Sequence, residues 1–497
     1  MGGTFGCEPR QCVRVYRPRV IPLRPALAPV SVTPVLTPTD FASLSLRPAL
    51  FDNLASLDYR EMTPVQAQSL PAVLARRDVL AQARTGSGKT AAFGLGLLQQ
   101  LDTKRFRVQS LVLCPTRELA DQVASEIRKL ARGLENTKVL TLCGGTPMGP
   151  QLGALEHGVH IVVGTPGRVE KHLNKGSLSL DALTGLVLDE ADRMLDMGFE
   201  ESINAILSFV PTRRQTLLFS ATFPDHIEAM AGRILVDPVR VTVGETHDAA
   251  SIEQFFFRID KSVSRVDAVQ RLLLQYRPAS AVVFCVTKQE TRDLCEALRG
   301  HGFGALALHG DLDQRERDHT MIRFSNKSAN VLVATDVAAR GLDIDALDAV
   351  ISAHFPRDFD DHTHRVGRTG RAGKKGIACT LYTDKDSPRL AQLEAHLGQP
   401  LVSLPLPDQR VINQPVDVPL MSTLQIDGGK KQKIRVGDIL GALTGDGGID
   451  GSCVGKIQVF DIRAYVAVER TVARMALNAL RNGKIKGRSF KARLLPT

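Results

Sequence analysis

Several absences narrow the class of this 497-residue chain before any motif is considered. No run of eighteen or more apolar residues occurs, which excludes a membrane span, and we expect no membrane partner. The eight cysteines form no C-x-x-C pair and have no histidine at zinc spacing, so we expect no zinc site and reduced core thiols in a cytoplasmic protein. Hydrophobic residues at 43% and charged residues at 23% exclude wholesale disorder.

The excess of positive charge is confined to the ends of the chain. The formal net charge is +10, but residues 41–397 carry 43 basic and 43 acidic side chains. Residues 421–497 carry 14 Lys and Arg against 6 acids, a net charge of +8, whereas residues 398–420 have a net charge of −1. A solvated surface is the ordinary interpretation of a charge run, but an excess this one-sided indicates a polyanionic partner.

The first 40 residues lack the pattern of a folded element. They contain seven prolines and five arginines, with a net charge of +3. No clean apolar stretch follows a basic start, as a secretory signal requires, and the prolines would break the amphipathic helix of a mitochondrial presequence. We expect residues 1–40 to be a disordered extension and assign it no function.

The rest of the chain divides into three folded parts. Short apolar runs alternate with amphipathic helical stretches in two series, a pattern that predicts parallel sheets built from βαβ units. The series meet near Pro238–Ser251, which we interpret as a hinge. The last part has the order β-α-β-β-α-β of an RRM-like α+β domain. The predicted boundaries are 41–243 and 251–397 for two α/β domains, 398–420 for a proline-rich linker, and 421–497 for the RRM-like domain.

A nucleotide-binding loop is predicted where a strand-like run is followed by a helix. Its glycines let backbone N–H groups turn onto phosphate oxygens, and the helix N-terminus adds a favourable dipole. Lys89 is placed to reach the β- and γ-phosphates, and the Thr90 hydroxyl to hold Mg²⁺. Ala83 stands where the general pattern has glycine, so an accidental Gly-rich turn is the alternative. The loop consists of Ala83, Arg84, Thr85, Gly86, Ser87, Gly88, Lys89 and Thr90.

Two further strings supply the charges that nucleotide hydrolysis needs. An apolar run ends in Asp189-Glu190-Ala191-Asp192, and carboxylates at the end of a parallel strand lie where α/β sheets bind ligands. Asp189 would orient Mg²⁺ through water, and Glu190 would position or deprotonate the attacking water. An acidic helix cap is the alternative, and it is the weaker one once a phosphate loop is present.

The second string, residues 364–371, contains three arginines in the second α/β domain. Alone it could equally be a solvated basic loop. Arginines supplied across a cleft neutralise charge that builds on the γ-phosphate, which would require both α/β domains to form one active site.

With these three strings in order, residues 41–497 resemble the DEAD-box RNA helicases. The resemblance implies two tandem RecA-like domains followed by a small RNA-binding domain, and an RNA-stimulated ATPase that uses ATP and Mg²⁺ to separate short RNA duplexes locally. It also implies that Phe41 stacks on adenine, Gln66 reads the adenine edge, Asp343 contacts the ribose, and Arg368 and Arg371 act as arginine fingers.

The same resemblance assigns RNA-contacting and coupling motifs. Ser220-Ala221-Thr222 matches the segment that links the ATP state to strand separation. His362 departs from the pattern, because an aromatic residue often stands there. In the two α/β domains the implied RNA-contacting residues are Arg117, Gly145, Thr165, Arg168 and Thr335.

The C-terminal 77 residues resemble the RNA-binding domain of a bacterial subgroup of this family. That resemblance implies a partner in a hairpin of large-subunit rRNA and in pre-ribosomal particles, with the chain acting as a monomer. Only one of three sheet positions that carry stacking aromatics in RRM domains is aromatic here, so affinity should depend mainly on cations. The candidates are Lys430, Lys431, Lys456, Lys484 and Lys486, and Tyr465, which could also be a core-edge residue.

Two rival functions share these residues. One is an ATP-gated RNA clamp or annealing factor, in which hydrolysis only times release. The other is a DNA helicase or an unrelated phosphate-loop ATPase, against which the adenine-reading motif and the Asp-Glu-Ala-Asp string argue.

Overall fold

The computed structural model describes residues 39–83, 86–243, 252–260, 262–339, 347–370, 375–398, 400–445 and 447–496. The chain forms two compact units, and the boundary between them lies between Val243 and Gly244. Nearly all of the predicted N-terminal extension lies outside the described residues, as do four predicted site residues: Arg84, Thr85, Asp343 and Arg371.

The first unit is a seven-stranded parallel sheet between two layers of helices, in the order β3-β4-β2-β5-β6-β1-β7. The strands are β1 (Val79–Gln82), β2 (Ser110–Leu113), β3 (Val139–Leu142), β4 (Ile161–Gly164), β5 (Gly185–Asp189), β6 (Gln215–Ser220) and β7 (Val239–Thr242). The helices are α1 (Pro48–Ser56), α2 (Pro64–Leu74), α3 (Lys89–Gln100), α4 (Arg117–Leu130), α5 (Met148–Glu156), α6 (Pro166–Asn174), α7 (Ala191–Asp196), α8 (Glu200–Phe209) and α9 (Asp225–Ile234).

Both faces of this sheet are buried, which explains why its strands are continuous apolar runs. Side chains alternate between the faces: Val79 and Ala81 pack in one hydrophobic cluster, and Leu80 between them packs in the other. The two clusters hold helices on opposite sides, so the loops at the carboxyl ends of the strands are left to form a site.

The second unit begins with another seven-stranded parallel sheet, in the order β10-β11-β9-β12-β13-β8-β14. Its strands are β8 (Ile252–Arg258), β9 (Ala281–Cys285), β10 (Ala305–Leu308), β11 (Val331–Thr335), β12 (Ala349–Ser352), β13 (Gly376–Tyr382) and β14 (Val402–Leu404). Its helices are α10 (Arg265–Tyr276), α11 (Lys288–Gly300), α12 (Gln314–Ser325), α13 (Asp336–Ala339), α14 (Phe359–Val366) and α15 (Ser387–Leu397).

A four-stranded antiparallel sheet with two helices completes this unit, in the order β16-β17-β15-β18. The elements are β15 (Met421–Ile426), α16 (Val436–Thr444), β16 (Val454–Val459), β17 (Ala464–Glu469), α17 (Ala473–Asn482) and β18 (Ala492–Leu494). Two parallel-sheet domains followed by a small α+β domain confirm the predicted fold class.

Two predicted connections are partly strands. The predicted hinge near Pro238–Ser251 begins inside the first sheet, because β7 pairs with β1. The predicted linker, 398–420, contributes β14, which pairs with β8 at the sheet edge. The prolines that suggested a linker lie outside this three-residue strand, so they do not interrupt its pairing.

The described cysteines are free, and five of them are buried, as predicted for core thiols: Cys114, Cys143, Cys285, Cys295 and Cys379. Within the described ranges, no helix is both long enough and apolar enough to cross a bilayer.

Candidate ATP and RNA sites

The predicted phosphate loop connects β1 to α3 and is anchored at both ends. The Ala83 N–H donates to the Ser220 carbonyl at the end of β6 (2.8 Å). Gly86 and Gly88 have φ values of +85° and +90°, which non-glycine residues rarely adopt. A Cβ on Gly88 would lie 2.6 Å from Gln66 Nε2, so a larger residue there would also displace the Gln66 amide. The loop is therefore built to present backbone N–H groups at the start of α3.

Gln66 fixes the loop to α2. Its Oε1 accepts from the Thr63 N–H (2.9 Å), and its Nε2 donates to the Gly88 carbonyl (3.0 Å). The amide retains a second N–H and a second lone pair that could read an adenine edge. Phe41 is only 2% exposed and packs edge-to-face on Tyr59 with ring centroids 6.1 Å apart. The structure therefore places Phe41 in the core, and its stacking on adenine stays a prediction.

Lys89 brings the loop and the Asp-Glu-Ala-Asp string together. Its Nζ lies 2.9 Å from Asp189 Oδ1 and 3.8 Å from Glu190 Oε1. The three side chains are 5%, 0% and 3% exposed, so this is a buried cluster of one cation and two anions. Burial opposes the charge of Lys89, but the Asp189 and Glu190 carboxylates outweigh it and raise the lysine pKa. Burial raises the pKa of Asp189, and Glu190 adds to that effect while Lys89 opposes it.

Glu190 adopts a conformation that non-glycine residues seldom accept. Its φ and ψ are both 55°, at the N-cap of α7. Glu190 Oε2 lies 3.2 Å from Nη1 of Arg193, which is 2% exposed. The left-handed turn directs the carboxylate to Lys89 and Arg193, and such local strain is typical of functional sites.

Asp192 connects this cluster to the segment after β6, a link that sequence reasoning missed. Its Oδ2 accepts from the N–H groups of Ala221 (2.9 Å) and Thr222 (3.0 Å), and from Thr222 Oγ1 (3.3 Å). The carboxylate is buried and binds both N–H groups of the predicted coupling motif. The only sequence signal was the order of the two motifs, because the pairing of β5 with β6 is what brings them together.

The donors of this cluster fit a Mg²⁺ ion held partly by nucleotide phosphates. Asp189 Oδ2 is buried and has no hydrogen-bond partner among the described residues, so one hard oxygen ligand is available. In the described part of the chain no group of three His, Cys, Asp or Glu side chains is arranged to hold a metal. Proteins usually bind Mg²⁺ together with a nucleotide through few side chains, here a single carboxylate and a hydroxyl. Waters and phosphate oxygens complete the coordination.

The predicted RNA-contacting residues of the first unit follow three neighbouring strands. Arg117 follows β2, Gly145 follows β3, and Thr165 with Arg168 follows β4. These strands are adjacent at the edge of the sheet, in the order β3-β4-β2, so their loops share one end. The structure thus brings these four residues to one side, next to the phosphate site at the ends of β5, β6 and β1.

Gln151 joins two of these loops and was not identified from the sequence. Arg168 donates from Nη1 to Gln151 Oε1 (2.9 Å) and from Nη2 to the Thr146 carbonyl (3.1 Å). Gln151 Nε2 in turn donates to the Cys143 carbonyl (3.2 Å). Arg168 is therefore held by the chain itself, whereas buried Nε and Nη1 of Arg117 have no hydrogen-bond partner in the described residues.

In the second unit, the arginine string is anchored by its first member. Arg365 is 3% exposed and binds both oxygens of Asp336 at 2.7 Å, so it stabilises the end of β11. Arg368 is buried, and its backbone carbonyl accepts from the Leu347 N–H. The Thr335 hydroxyl accepts from the Ala338 N–H (3.3 Å) and caps α13. The roles of Arg368 and Thr335 at phosphate and RNA remain predictions.

His362 is a core residue. It stacks on Phe256 with ring centroids 5.8 Å apart, and its Nε2 lies 3.0 Å from Gln254 Oε1. Burial, assisted by the nearby Arg365 charge, lowers the His362 pKa to about 4. A neutral ring at this position replaces the expected aromatic by packing in the same way.

Two loops of the C-terminal domain form a basic surface. Residues 430–433 follow β15, and residues 484–488 follow α17. Lys486 Nζ donates to the Lys433 carbonyl (3.3 Å), which places the two loops side by side. Their basic side chains are all exposed: Lys430, Lys431, Lys433, Lys484, Lys486 and Arg488. We call this set the basic loop surface.

Tyr465 and Lys456 lie elsewhere, on the sheet face that packs against α12. Tyr465 is 4% exposed, clusters with Ile322 and Leu495, and its hydroxyl lies 3.1 Å from His319 Nε2. Lys456 Nζ donates to Ser325 Oγ (2.7 Å). We call this contact between α12 and the β15–β18 sheet the seam. Of the two roles predicted for Tyr465, the structure therefore favours a core-edge residue over an open stacking platform, because the second α/β domain covers it.

Comparison with known proteins decides the family. Three family models match in order: a DEAD/DEAH box helicase domain at residues 63–230, a helicase conserved C-terminal domain at 264–373, and a DbpA RNA binding domain at 423–494. The ATP-dependent RNA helicase DbpA of Escherichia coli is 52% identical over 458 residues, which cover 92% of this chain and all of that protein. The chain belongs to the DEAD-box ATP-dependent RNA helicases, in the DbpA group.

A further relative and two solved structures are similar over about three quarters of the chain. The helicase CshA of Bacillus cereus is 44% identical over 357 residues, 72% of this chain and 68% of that protein. Dbp5 of S. cerevisiae bound to RNA and ADP BeF3 has a TM-score of 0.67 at 28% identity, covering 76% of this chain and 99% of that one. Mss116p bound to ssRNA and AMP-PNP has a TM-score of 0.68 at 26% identity, covering 76% and 81%.

Membership of this DEAD-box group confirms that the chain is an ATP-dependent RNA helicase with a C-terminal RNA-binding domain. The predicted resemblance over 41–497 is confirmed with it.

Proposed function

We propose that this helicase uses Mg²⁺ and ATP to separate short duplexes in large-subunit rRNA during ribosome assembly, with its C-terminal domain bound to an rRNA hairpin. The observation that carries the proposal is the exposed basic loop surface, which is held on the second α/β domain through the seam. A domain fixed in this way delivers the core to RNA near its own binding site.

The buried cluster of the first unit supplies the chemistry. Lys89 exchanges its contacts with Asp189 and Glu190 for the β- and γ-phosphates, since a buried ammonium needs an anionic partner. Asp189, once released, holds water or metal. Glu190 then orients the attacking water and accepts its proton. Bound Mg²⁺ would neutralise charge on the phosphate oxygens. Arg368 and Arg371 are assigned the charge that stabilises the γ-phosphate in the transition state.

Asp192 carries the state of the nucleotide site to the RNA side. Its neighbours Asp189 and Glu190 change partners when phosphate binds, and its Oδ2 holds the backbone of Ala221 and Thr222. A shift of α7 would therefore move the segment after β6, which lies between the phosphate loop and the RNA loops.

The basic loop surface suits a structured RNA. Each loop lysine is a point charge, and the lysines do not lie in one plane, so they are suited to contact the phosphate backbone. The sheet face is covered at Tyr465, which removes the usual platform for unstacked bases. Both features favour a hairpin recognised by its shape and charge over a single strand threaded across the sheet.

The test is steady-state ATPase of the full chain with two rRNA fragments, one containing and one lacking the peptidyl-transferase-centre hairpin, and with poly(A). We expect selective stimulation by the first fragment. Lys430→Gln/Lys431→Gln/Lys484→Gln should abolish the selectivity, and Arg474→Gln, on the exposed side of α17, should preserve it. Equal stimulation by all RNAs would overturn the hairpin assignment, and stimulation without strand displacement of a nearby duplex would show an RNA clamp instead.

These point variants are preferable to deletion of residues 421–497. Removing the domain would expose Ile322 of α12 and the side chains of Asn326 and Ser328 that contact Thr423, so lost activity would not identify RNA contacts.

A further inference from the structure

Arginines from two domains border the seam at the N-terminal end of α12. In the sheet, Tyr465 pairs with Gln425, and Gln425 pairs with Arg493 on the next strand, so the three side chains share one face. Arg463 precedes Tyr465 by two residues and lies towards that face as well. The row continues onto α12, where His319 contacts Tyr465.

Arg315 completes this arrangement from the helicase domain. It lies one helical turn before His319, so it projects on the same side of α12. The pKa of His319 reports the resulting field: burial lowers it, and the charges of Arg315, Arg493, Arg463 and Arg323 lower it further. Several cations therefore act on one point of the seam.

These cations are weakly compensated. Among the described residues no carboxylate lies within ion-pair distance of Arg315 or Arg493, both of which are exposed. Arg493 donates only to the Gln425 amide oxygen (2.9 Å), and Arg463 is 3.8 Å from Asp427. The carboxylate of Asp318, also near Tyr465, accepts from Gln314 (2.7 Å). A polyanion would form two to three contacts with these arginines. Forming them would not require breaking any ion pair shorter than 3.8 Å.

An exposed aromatic ring lies beside them. Phe460 follows β16, is 45% exposed, and packs edge-to-face on Tyr465 with ring centroids 5.7 Å apart. The contact with Tyr465 fixes the Phe460 ring and leaves one side to solvent. Exposed aromatics beside arginines are the pattern by which proteins bind single-stranded nucleic acid, with bases stacked on rings and phosphates on cations.

We propose that this rim is a second RNA site, which binds a single-stranded segment with phosphates at Arg315, Arg463 and Arg493 and a base on Phe460. Arg315 comes from the second α/β domain and joins the rim only while the seam is closed, whereas Arg463, Arg493 and Phe460 belong to the C-terminal domain. It differs from the basic loop surface in its residues and in its ligand. The inference rests on the RNA-binding activity of the family and does not require the hairpin assignment.

The test measures binding of fluorescein-labelled oligo(U), an unstructured strand, to the full chain by anisotropy between 50 and 200 mM salt without nucleotide. For Arg315→Gln/Arg493→Gln we expect the slope of log K against log salt to fall by about 1.4, at about 0.7 per phosphate contact. Phe460→Ala should weaken binding by about 5- to 150-fold with the slope unchanged, since stacking involves no counterion.

Arg474→Gln is the matched control, because it removes one exposed arginine from the same domain away from the rim. Its slope and affinity should equal those of the unmodified chain. Unchanged slopes in the rim variants, or equal losses in Arg474→Gln, would overturn the second site. The single variant Arg315→Gln is the control for misfolding. Because the Arg315 side chain is exposed, this variant should unfold at the same temperature as the unmodified chain. Failure of hairpin-selective ATPase would leave this result standing.

Discussion

Replacing Lys89 with alanine should destabilise the nucleotide-free protein as well as abolish catalysis. In the absence of nucleotide, Lys89 is the cation paired with Asp189, and it shares Glu190 with Arg193 in a cluster that is at most 5% exposed. Removing one partner of a buried ion pair costs about 3–5 kcal/mol, because a charge is left without compensation. For a domain of about 200 residues, at about 2–4 °C per kcal/mol, the melting temperature should fall by about 6–20 °C.

The stability that Lys89→Ala loses should depend on pH in a defined direction. The folded-state pKa of Asp189 is already raised above 3.8 by burial, and losing Lys89 raises it further. A carboxyl with a raised pKa binds its proton more tightly in the folded state, so folding stability falls as pH rises from 3.8 through the folded pKa. The stability deficit of Lys89→Ala relative to the unmodified chain should therefore grow as pH rises from 3.8 through the folded pKa of Asp189.

The assay is thermal unfolding without nucleotide over a series of increasing pH values, with Lys104→Ala as the control because Lys104 is exposed in the same unit. Adding Asp189→Asn to Lys89→Ala removes the stranded charge and should recover part of the lost stability but no ATPase activity. If Lys89→Ala unfolds at the same temperature as Lys104→Ala while its ATPase is lost, the ion pair does not compensate the buried carboxylates and the reasoning is refuted.

Three further predictions concern the described residues. Glu190→Gln should lower RNA-stimulated ATPase by about 10²–10⁴-fold while a fluorescent ATP analogue still binds; a loss below tenfold would exclude Glu190 as the base. Asp192→Ala leaves the N–H groups of Ala221 and Thr222 without their acceptor, so duplex separation should fall more than basal ATPase; equal losses would contradict the coupling. The pKa of His362 is about 4, so the free energy of unfolding falls by about 3 kcal/mol as pH falls from 6.5 to 4. His362→Phe has no imidazole to protonate, so chemical denaturation should show its stability rising relative to that of the unmodified chain over this range.

The parts of the fold that sequence predicted are those in which local pattern and burial agree. The strands of both parallel sheets are buried on two faces, so they appear as apolar runs, and Val79–Gln82 ends directly at the phosphate loop. The strands that were missed depend on pairing. β14 has three residues, two of them exposed, and is a strand only because β8 lies beside it.

The site divides in the same way. The motif residues follow one another in short strings, so the Lys89 loop and the Asp189–Asp192 string could be found from local sequence alone. Their contacts could not, because Asp192 meets Thr222, and Gln151 meets Arg168, through the order of strands in the sheet. The hydrophobic periodicity of the sequence does not indicate that β5 and β6 are neighbours in the sheet.

Tyr465 shows why a surface cannot be assigned from its own domain. On an isolated β-α-β-β-α-β fold, an aromatic on β17 lies on the face that stacks bases in RRM domains. Here α12 carries Ile322 and His319 to that position, so the same ring becomes an interdomain contact. The same contact brings Arg315 of α12 beside Arg493, which lies on the sheet face of Tyr465. Opening the seam would therefore uncover Tyr465 and remove Arg315 from the rim, so RNA binding at the rim should weaken whenever the seam opens.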